Sequence, residues 1–183
     1  MLPVPTIVVA LLCAMPLWAK STEPVAPLHA IAQLDIQRYM GTWYEIAKYP
    51  NAFQRKCAAE TRADYTLLDG GRVQVVNRCR NAAGGMEEVI GAARQTGPSN
   101  SAKLEVRFAP AWLAFLPFVW GNYWVIDLDP AYQLVAVSEP SREYLWILSR
   151  SPHVEPAAYS ALLQRLAIMG FDLRRLETSN QPG

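Results

Sequence analysis

The chain has 183 residues, with 17 basic and 16 acidic side chains and a formal net charge of +1. This length fits one domain with a substantial core. The balanced charge argues against the broad basic surface that nucleic-acid binding requires. We therefore expect a single folded domain with no nucleic-acid partner.

The N-terminal segment is typical of a secretory signal peptide. Residues 1–19 contain no charged side chain, and an apolar run from Thr6 to Leu12 precedes small residues near Ala19. We therefore expect export and removal of residues 1–19. Cys13 offers an alternative, because a lipidated cysteine follows the apolar region of a bacterial lipoprotein signal. Soluble export is favoured over a lipid anchor, since Leu12 stands where such signals usually have Gly or Ala.

Two cysteines, Cys57 and Cys79, remain after removal of the signal. An even number of cysteines in an exported chain favours a disulfide. In an ideal hairpin, however, Cys79 lies opposite about residue 61, too far from Cys57 for a bond. The disulfide therefore requires a bulge or a bend near Cys57, and two separate buried thiols are the alternative.

Residues 20–30 form a Pro-rich arm, and the pattern changes to strands from Gly41. Eight segments rich in aromatic and β-branched residues are separated by turns that contain Gly, Pro, Asn or Asp. They cover residues 41–50, 57–68, 72–80, 86–95, 102–109, 122–129, 132–139 and 143–150. Short strands at this spacing predict an all-β antiparallel sandwich or closed barrel, and closure would remove the exposed edges.

One amphipathic helix is predicted after the strands. Pro156 suits its first turn and Gly170 its end. The apolar residues at helical spacing are Tyr159, Leu162, Leu163 and Leu166. We expect this apolar stripe to pack on the outside of the sheet.

No catalytic or metal-binding motif is present in the sequence. The two histidines, His29 and His153, belong to no zinc motif, and the chain has no C-x-x-C, G-x-S-x-G or phosphate-loop pattern. We therefore expect neither an enzyme nor a bound metal or cofactor.

The most specific patterns are LDIQRYMGTWYEIAKYPNAFQRKC, residues 34–57, and YWVIDLDPAYQLVAVSEPSREYLWILSRSP, residues 123–152. Together with the closing helix and its MGFDLRRL tail, they resemble the lipocalins, specifically the bacterial lipocalins related to apolipoprotein D. The resemblance covers residues 31–183. It implies an eight-stranded antiparallel up-and-down barrel with the C-terminal helix packed outside, closed at one end and holding an apolar ligand at the other.

The resemblance also implies structural roles for Gly41, Trp43 and Arg150. In the family, the tryptophan of the first motif lies at the closed end and an arginine from the last strand lies across its ring. Such a cation–π contact contributes about 1 kcal/mol. We expect these residues to seal the barrel rather than to contact ligand.

Alternation along the strands indicates which side chains line a cavity. Arg142 is also a candidate partner for a carboxylate or phosphate. The candidate ligand-binding residues are Glu45, Ala47, Tyr49, Tyr65, Val75, Asn77, Phe108, Arg142, Tyr144 and Trp146. Ordinary core packing is the alternative for all of them, because eight-stranded barrels can be filled by side chains.

The segment AWLAFLPFVW, residues 111–120, carries no charge and is too short to span a bilayer as a helix, which takes roughly 20 residues. Barrel order places it at the open end beside the loop 51–57. Such an apolar surface indicates contact with a membrane surface, a lid or a homodimer interface. The candidate mouth residues are Phe53, Arg55, Trp112, Phe115, Phe118 and Trp120.

We therefore expect an exported lipocalin that carries or scavenges a fatty acid, lysophospholipid or similar amphiphile. Its place would be the cell envelope, in the periplasm or at the outer membrane. Two alternatives stay open. A thiol-dependent lipid isomerase would need a free Cys57 or Cys79 facing the cavity, and a pigment-binding module would need the same barrel with a coloured ligand.

Overall fold

The structure, a computed structural model, describes residues 26–110 and 113–181. The predicted signal peptide and Cys13 lie outside these residues. Among the described residues, neither of the two α-helices combines the length and apolar character that crossing a bilayer requires.

Eight antiparallel strands form a closed barrel in chain order. Each strand pairs with the next, and β1 pairs with both β8 and β2 to close the wall. The strands are β1 (Gly41–Lys48), β2 (Cys57–Leu67), β3 (Arg72–Asn81), β4 (Met86–Gln95), β5 (Lys103–Arg107), β6 (Gly121–Leu128), β7 (Leu134–Ser138) and β8 (Leu145–Ser149). The predicted all-β barrel is confirmed.

Two α-helices accompany the barrel, α1 (Ile36–Tyr39) and α2 (Pro156–Ile168). The Asp35 side chain caps α1 by accepting from two backbone N–H groups. Helix α2 begins at a proline, as predicted, and Gly170 follows it with a φ of 89° that favours glycine. Leu162 and Leu166 of α2 are fully buried against the outer face of the barrel.

Apolar side chains fill two layers, one inside the barrel and one between the barrel and α2. The inner layer includes Trp43, Tyr65 and Val125, and the outer layer includes Ala47, Ile147 and Leu162. The connections β1–β2, β3–β4, β5–β6 and β7–β8 all lie at the same end of the barrel. We call this end the mouth, and α1 covers the opposite, closed end.

β-Bulges change the face that a residue presents. Opposite β8, the register of β1 shifts between Glu45 and Ala47, so that Ala47 joins the outer layer although Trp43 lies inside. Opposite β7, the register of β6 shifts between Val125 and Asp127. Alternation counted from the start of either strand therefore fails beyond its bulge.

Bulges also explain how Cys57 reaches Cys79. Opposite β3, the register of β2 shifts on both sides of Ala59, and Glu60 adopts a left-handed φ of 55°. The Cα atoms of the two cysteines lie 5.4 Å apart, and their sulfur atoms form a disulfide. The predicted bond and the bulge that it requires are confirmed.

The C-terminal tail occupies a gap between β1 and β2 toward the mouth. The β1–β2 ladder ends where Tyr44 faces Arg62. Beyond that point, a short strand β9 (Glu177–Thr178) pairs with β1, and the Glu60 N–H donates to the Asn180 carbonyl. The sequence analysis did not predict this strand, because two residues carry no periodic pattern.

Candidate ligand-binding site

The closed end is sealed by a tryptophan and an arginine. The Arg150 guanidinium carbon lies 3.9 Å from the centroid of the fully buried Trp43 ring. Arg150 also donates to the Thr42 and Arg38 carbonyls at 2.9 and 2.8 Å. At Gly41, with a φ of 95°, a Cβ atom would lie only 3.2 Å from this guanidinium. The positive charge of Arg150 is thus held by backbone carbonyls, which fits a structural role.

Three tyrosines meet above this seal. The Tyr123 hydroxyl lies 2.7 Å from the Tyr39 hydroxyl and 3.0 Å from the Tyr65 hydroxyl. The Trp43 indole N–H donates to the Tyr39 carbonyl at 2.8 Å, which fixes Tyr39 against the seal. Sequence reasoning selected Tyr65 but missed the other two. Tyr123 could have been found by alternation with Val125, whereas Tyr39 precedes the strands and follows no strand period.

Burial controls the protonation of the three phenols. It raises the pKa of Tyr65 to about 12, and it raises the pKa of Tyr39 and Tyr123 well above the usual value of 10.0. The cluster is therefore neutral at physiological pH and can donate hydrogen bonds.

The inner wall combines buried and half-buried side chains. Val75, Val125, Val137 and Leu148 are buried inside the barrel. Inward-facing residues that are only half-buried include Asn77, Val106, Tyr123 and Trp146. Because the strands form a closed wall, these inward surfaces are exposed to the barrel lumen. The inner wall is thus mainly apolar with a few polar groups, as the walls of small-molecule sites usually are.

Glu45 takes part in a polar network near the mouth. Only 2% of this residue is exposed, and its carboxylate accepts hydrogen bonds from the Gln54 amide and the Ser179 hydroxyl. The Trp146 indole N–H donates to the Gln54 side-chain oxygen at 2.9 Å. Glu45 therefore holds the β1–β2 loop, the C-terminal tail and an inner-wall indole together, and both of its carboxylate oxygens already have partners.

Three predicted ligand-binding positions lie outside the lumen. Ala47 and Tyr49 face α2, because the β1 bulge reverses the alternation counted from Trp43, and Tyr49 packs edge-on against Phe171. Arg142 has a left-handed φ of 60° in the β7–β8 turn and donates to the Met169 and Ala26 carbonyls. The prediction that these three side chains line the barrel cavity was wrong.

The other predicted positions cluster toward the mouth. Tyr144 stacks on Trp146, with ring centroids 5.7 Å apart. Phe108 packs over Gly91, where a Cβ atom would lie 2.6 Å from the phenyl ring. Ligand contact by these residues, and by Tyr65, Val75 and Asn77 deeper in the barrel, stays a prediction.

Three aromatic side chains project from the mouth. Phe53, Phe115 and Phe118 are 77%, 78% and 81% exposed, and we call them the aromatic rim. Arg55 and Lys56 are exposed beside Phe53. These side chains place an apolar surface next to a basic pair.

Trp120 and Trp112 stand apart from the aromatic rim. Trp120 lies against the outer wall, where the guanidinium groups of Arg94 and Arg107 lie 4.1 and 5.3 Å from its ring centroid. The Trp120 indole N–H donates to the Ala114 carbonyl of the β5–β6 connection at 2.9 Å. Contact of Trp120 with a membrane stays a prediction. Trp112 lies outside the described residues.

The site carries no reactive thiol, since Cys57 and Cys79 are bonded to each other. Within residues 26–110 and 113–181, no three His, Cys, Asp or Glu side chains converge as a metal site would require. What the arrangement can do chemically is bury an apolar chain and donate hydrogen bonds to a polar group that the chain carries.

The tyrosine cluster predicts a fall in stability at alkaline pH. The unfolded chain loses phenolic protons above about pH 10, whereas folded Tyr65 keeps its proton up to about pH 12. Each such tyrosine therefore removes up to about 1.4 kcal/mol of unfolding free energy per pH unit in this window. Urea unfolding at several pH values should show this slope, and Tyr65→Phe should reduce it. A slope unchanged by Tyr65→Phe would contradict the buried cluster.

Comparison with known proteins agrees with this geometry. A family model described as a lipocalin-like domain matches residues 34–181. The temperature-induced lipocalin-1 of Arabidopsis thaliana is 41% identical over 157 residues, covering 84% of this chain and 83% of the plant protein. The outer membrane lipoprotein Blc of Escherichia coli K12 is 37% identical over 164 residues, covering 89% of this chain and 88% of the bacterial protein.

A solved structure shows the same architecture. The crystal structure of the cockroach major allergen Per a 4 superposes with a TM-score of 0.64 at 21% identity, covering 85% of this chain and 94% of the allergen. The resemblance to bacterial lipocalins seen in the sequence motifs is confirmed by the match to Blc. With its family match over most of its length, the chain belongs to the lipocalins, a family that binds small hydrophobic ligands.

Proposed function

We propose that the protein binds a single-chain amphiphile, such as a fatty acid or a lysophospholipid, in the barrel lumen and carries or scavenges it in the cell envelope. The observation that carries this proposal is the set of inward-facing, half-buried residues Asn77, Val106, Tyr123 and Trp146 inside a closed wall. Exposed surface on inward-facing side chains supports an open space inside the barrel that is continuous with the mouth.

Burial of the acyl chain provides the driving force. Each methylene transferred from water to an apolar lumen contributes about 0.8 kcal/mol. Ordering of the chain and desolvation of the head group offset part of this gain. The aromatic walls at Tyr144 and Trp146 would contact the chain near the mouth.

A thiol-dependent reaction on a bound lipid has no support at this site. Such chemistry needs a free thiolate, whereas the two described cysteines form a disulfide. We therefore propose binding and transport rather than catalysis.

Export to the cell envelope is part of the proposal. The name of the bacterial relative, an outer membrane lipoprotein, supports it, as does the apolar N-terminal segment. The mass of the mature chain distinguishes the two N-termini: cleavage after Ala19 leaves Lys20 first, whereas a lipoprotein begins at an acylated Cys13. We expect the first result, and a diacylglyceryl-modified Cys13 would contradict it.

The lumen predicts a co-purifying lipid. Mass spectrometry of the organic extract from detergent-free periplasmic protein should detect a stoichiometric single-chain lipid. Asn77→Trp, which places an indole inside the barrel, should remove most of that lipid. Val76→Trp is the matched control, because Val76 lies next to Asn77 but faces outward, and it should retain the lipid. Equal lipid in both variants would argue against a luminal site.

The aromatic rim supports membrane contact during lipid transfer. Exposed aromatic side chains suit the interfacial zone of a bilayer, and Arg55 and Lys56 beside them suit anionic head groups. We propose that Phe53, Phe115 and Phe118 dock the mouth on a membrane, so that lipid enters without a fully aqueous step.

Sedimentation with vesicles of phosphatidylethanolamine and phosphatidylglycerol tests the aromatic rim. Replacement of Phe53, Phe115 and Phe118 by Ser should weaken vesicle binding by about tenfold or more, because apolar contact is lost. Leu68→Ser at the closed end is the control and should bind as the wild type does. If vesicle binding is unchanged but light scattering shows a dimer converted to a monomer, the rim is a homodimer interface instead.

A further inference from the structure

The tyrosine cluster lies deep in the barrel rather than at its mouth. Tyr123 faces Leu104, the second residue of β5, and Leu104 faces Gln95, the last residue of β4. The β4–β5 connection lies at the closed end. Tyr39 reaches the cluster from α1, which covers that end.

The three hydroxyls have more O–H donors than hydrogen bonds between them. Each phenol has one O–H donor, and only two hydrogen bonds join the three oxygens. Whichever way these two bonds point, one O–H has no acceptor within the cluster. Among residues 26–110 and 113–181, the three hydroxyls make no other hydrogen bond. Since buried polar groups are nearly always paired in folded proteins, this remaining donor calls for a partner in the lumen.

Tyr123 is the member of the cluster that the lumen can reach. Tyr39 and Tyr65 are buried, whereas Tyr123 is half-buried although its side chain faces inward. If both neighbours donate to Tyr123, its own O–H is free to donate into the lumen.

The charge around the cluster favours an oxygen acceptor. The phenols are neutral, because burial raises the pKa of each. The Arg150 charge acts on both Tyr39 and Tyr65, and the Asp64 carboxylate acts on Tyr65 with the opposite sign. A free O–H donor beside Arg150 suits a carboxylate or carbonyl oxygen and does not suit an ammonium group, which has no lone pair to accept the hydrogen bond.

We propose that this cluster is a subsite for a carboxylate or carbonyl oxygen of the ligand, which lies with its head toward the closed end and its tail toward the mouth. This inference rests on the proposed function and narrows it. A fatty acid or another amphiphile with a single carbonyl group fits the subsite. A lysophospholipid does not, because its larger head group carries charges that would all lose water in the deep barrel.

The features of the mouth agree with this orientation. Arg142, a predicted partner for a ligand carboxylate or phosphate, instead binds backbone carbonyls of the outer layer. The Lys48 ammonium on the inner face of β1 lies 3.6 Å from the Glu45 carboxylate, which compensates its charge. Phe53, Tyr144 and Trp146 form an aromatic stack there, with Phe53 and Tyr144 ring centroids 5.6 Å apart. This surface suits the apolar end of a ligand.

Carbon-13 NMR of bound laurate tests the orientation directly. Laurate labelled at C1 and laurate labelled at C12 are each bound to the full mature chain, and a soluble gadolinium chelate is added. We expect the C1 signal to stay sharp and the C12 signal to broaden. A broadened C1 signal with a protected C12 signal would overturn the orientation but leave luminal binding intact. If neither label gives a bound signal, both the orientation and fatty-acid binding fail.

Substitution of the central hydroxyl provides the second test. Tyr123→Phe should weaken laurate binding by about tenfold, the usual effect of losing one hydrogen bond to a ligand. Tyr65→Phe should weaken it as well. Tyr44→Phe makes the same change on the outer face of β1 and should bind laurate as the wild type does. Thermal unfolding of each variant shows whether it is folded. A folded Tyr123→Phe and a folded Tyr65→Phe that both bind laurate normally would rule out the subsite.

Discussion

A barrel that is to hold a ligand must be sealed at one end without being filled along its length. Here the seal is the contact between the Arg150 guanidinium and the Trp43 indole, completed by hydrogen bonds from Arg150 to the carbonyls of α1 and β1. The contact needs a glycine at position 41, because a side chain there would meet the guanidinium. Because the seal already closes this end, the side chains between the seal and the mouth need not fill the barrel.

Burying a polar group inside an apolar barrel costs free energy, and this cost explains how the buried polar groups are arranged. A polar atom removed from water destabilises the fold unless it finds a partner. The Glu45 carboxylate accepts hydrogen bonds from the β1–β2 loop and the C-terminal tail, and it also pairs with the Lys48 ammonium. The tyrosine cluster satisfies itself except for one O–H. The difference separates a structural network from a group that is free to bind ligand.

Sequence patterns predicted the architecture well because the signals are long. The eight strands and the outer helix follow from alternation, helical spacing and turn residues, and the resemblance to the lipocalins implied the seal between Trp43 and Arg150. Individual site positions were harder to predict, because one residue inserted at a β-bulge reverses which side chains face into the barrel. The bulge after Glu45 moved Ala47 and Tyr49 beneath α2, and a left-handed turn residue directed Arg142 away from the lumen. Tyr39 was missed because it reaches the lumen from a helix rather than from a strand.

The central claim is that the lumen, and not the outer surface, receives the acyl chain. Fluorescence quenching by dibromostearate tests it, because bromine quenches only the indoles that it approaches closely. Trp146 faces the lumen, whereas Trp124 packs in the outer layer near Lys103. We predict that Trp146→Phe removes a much larger part of the quenching than Trp124→Phe does. Equal losses in the two variants, or a larger loss in Trp124→Phe, would place the lipid outside the barrel and contradict the account.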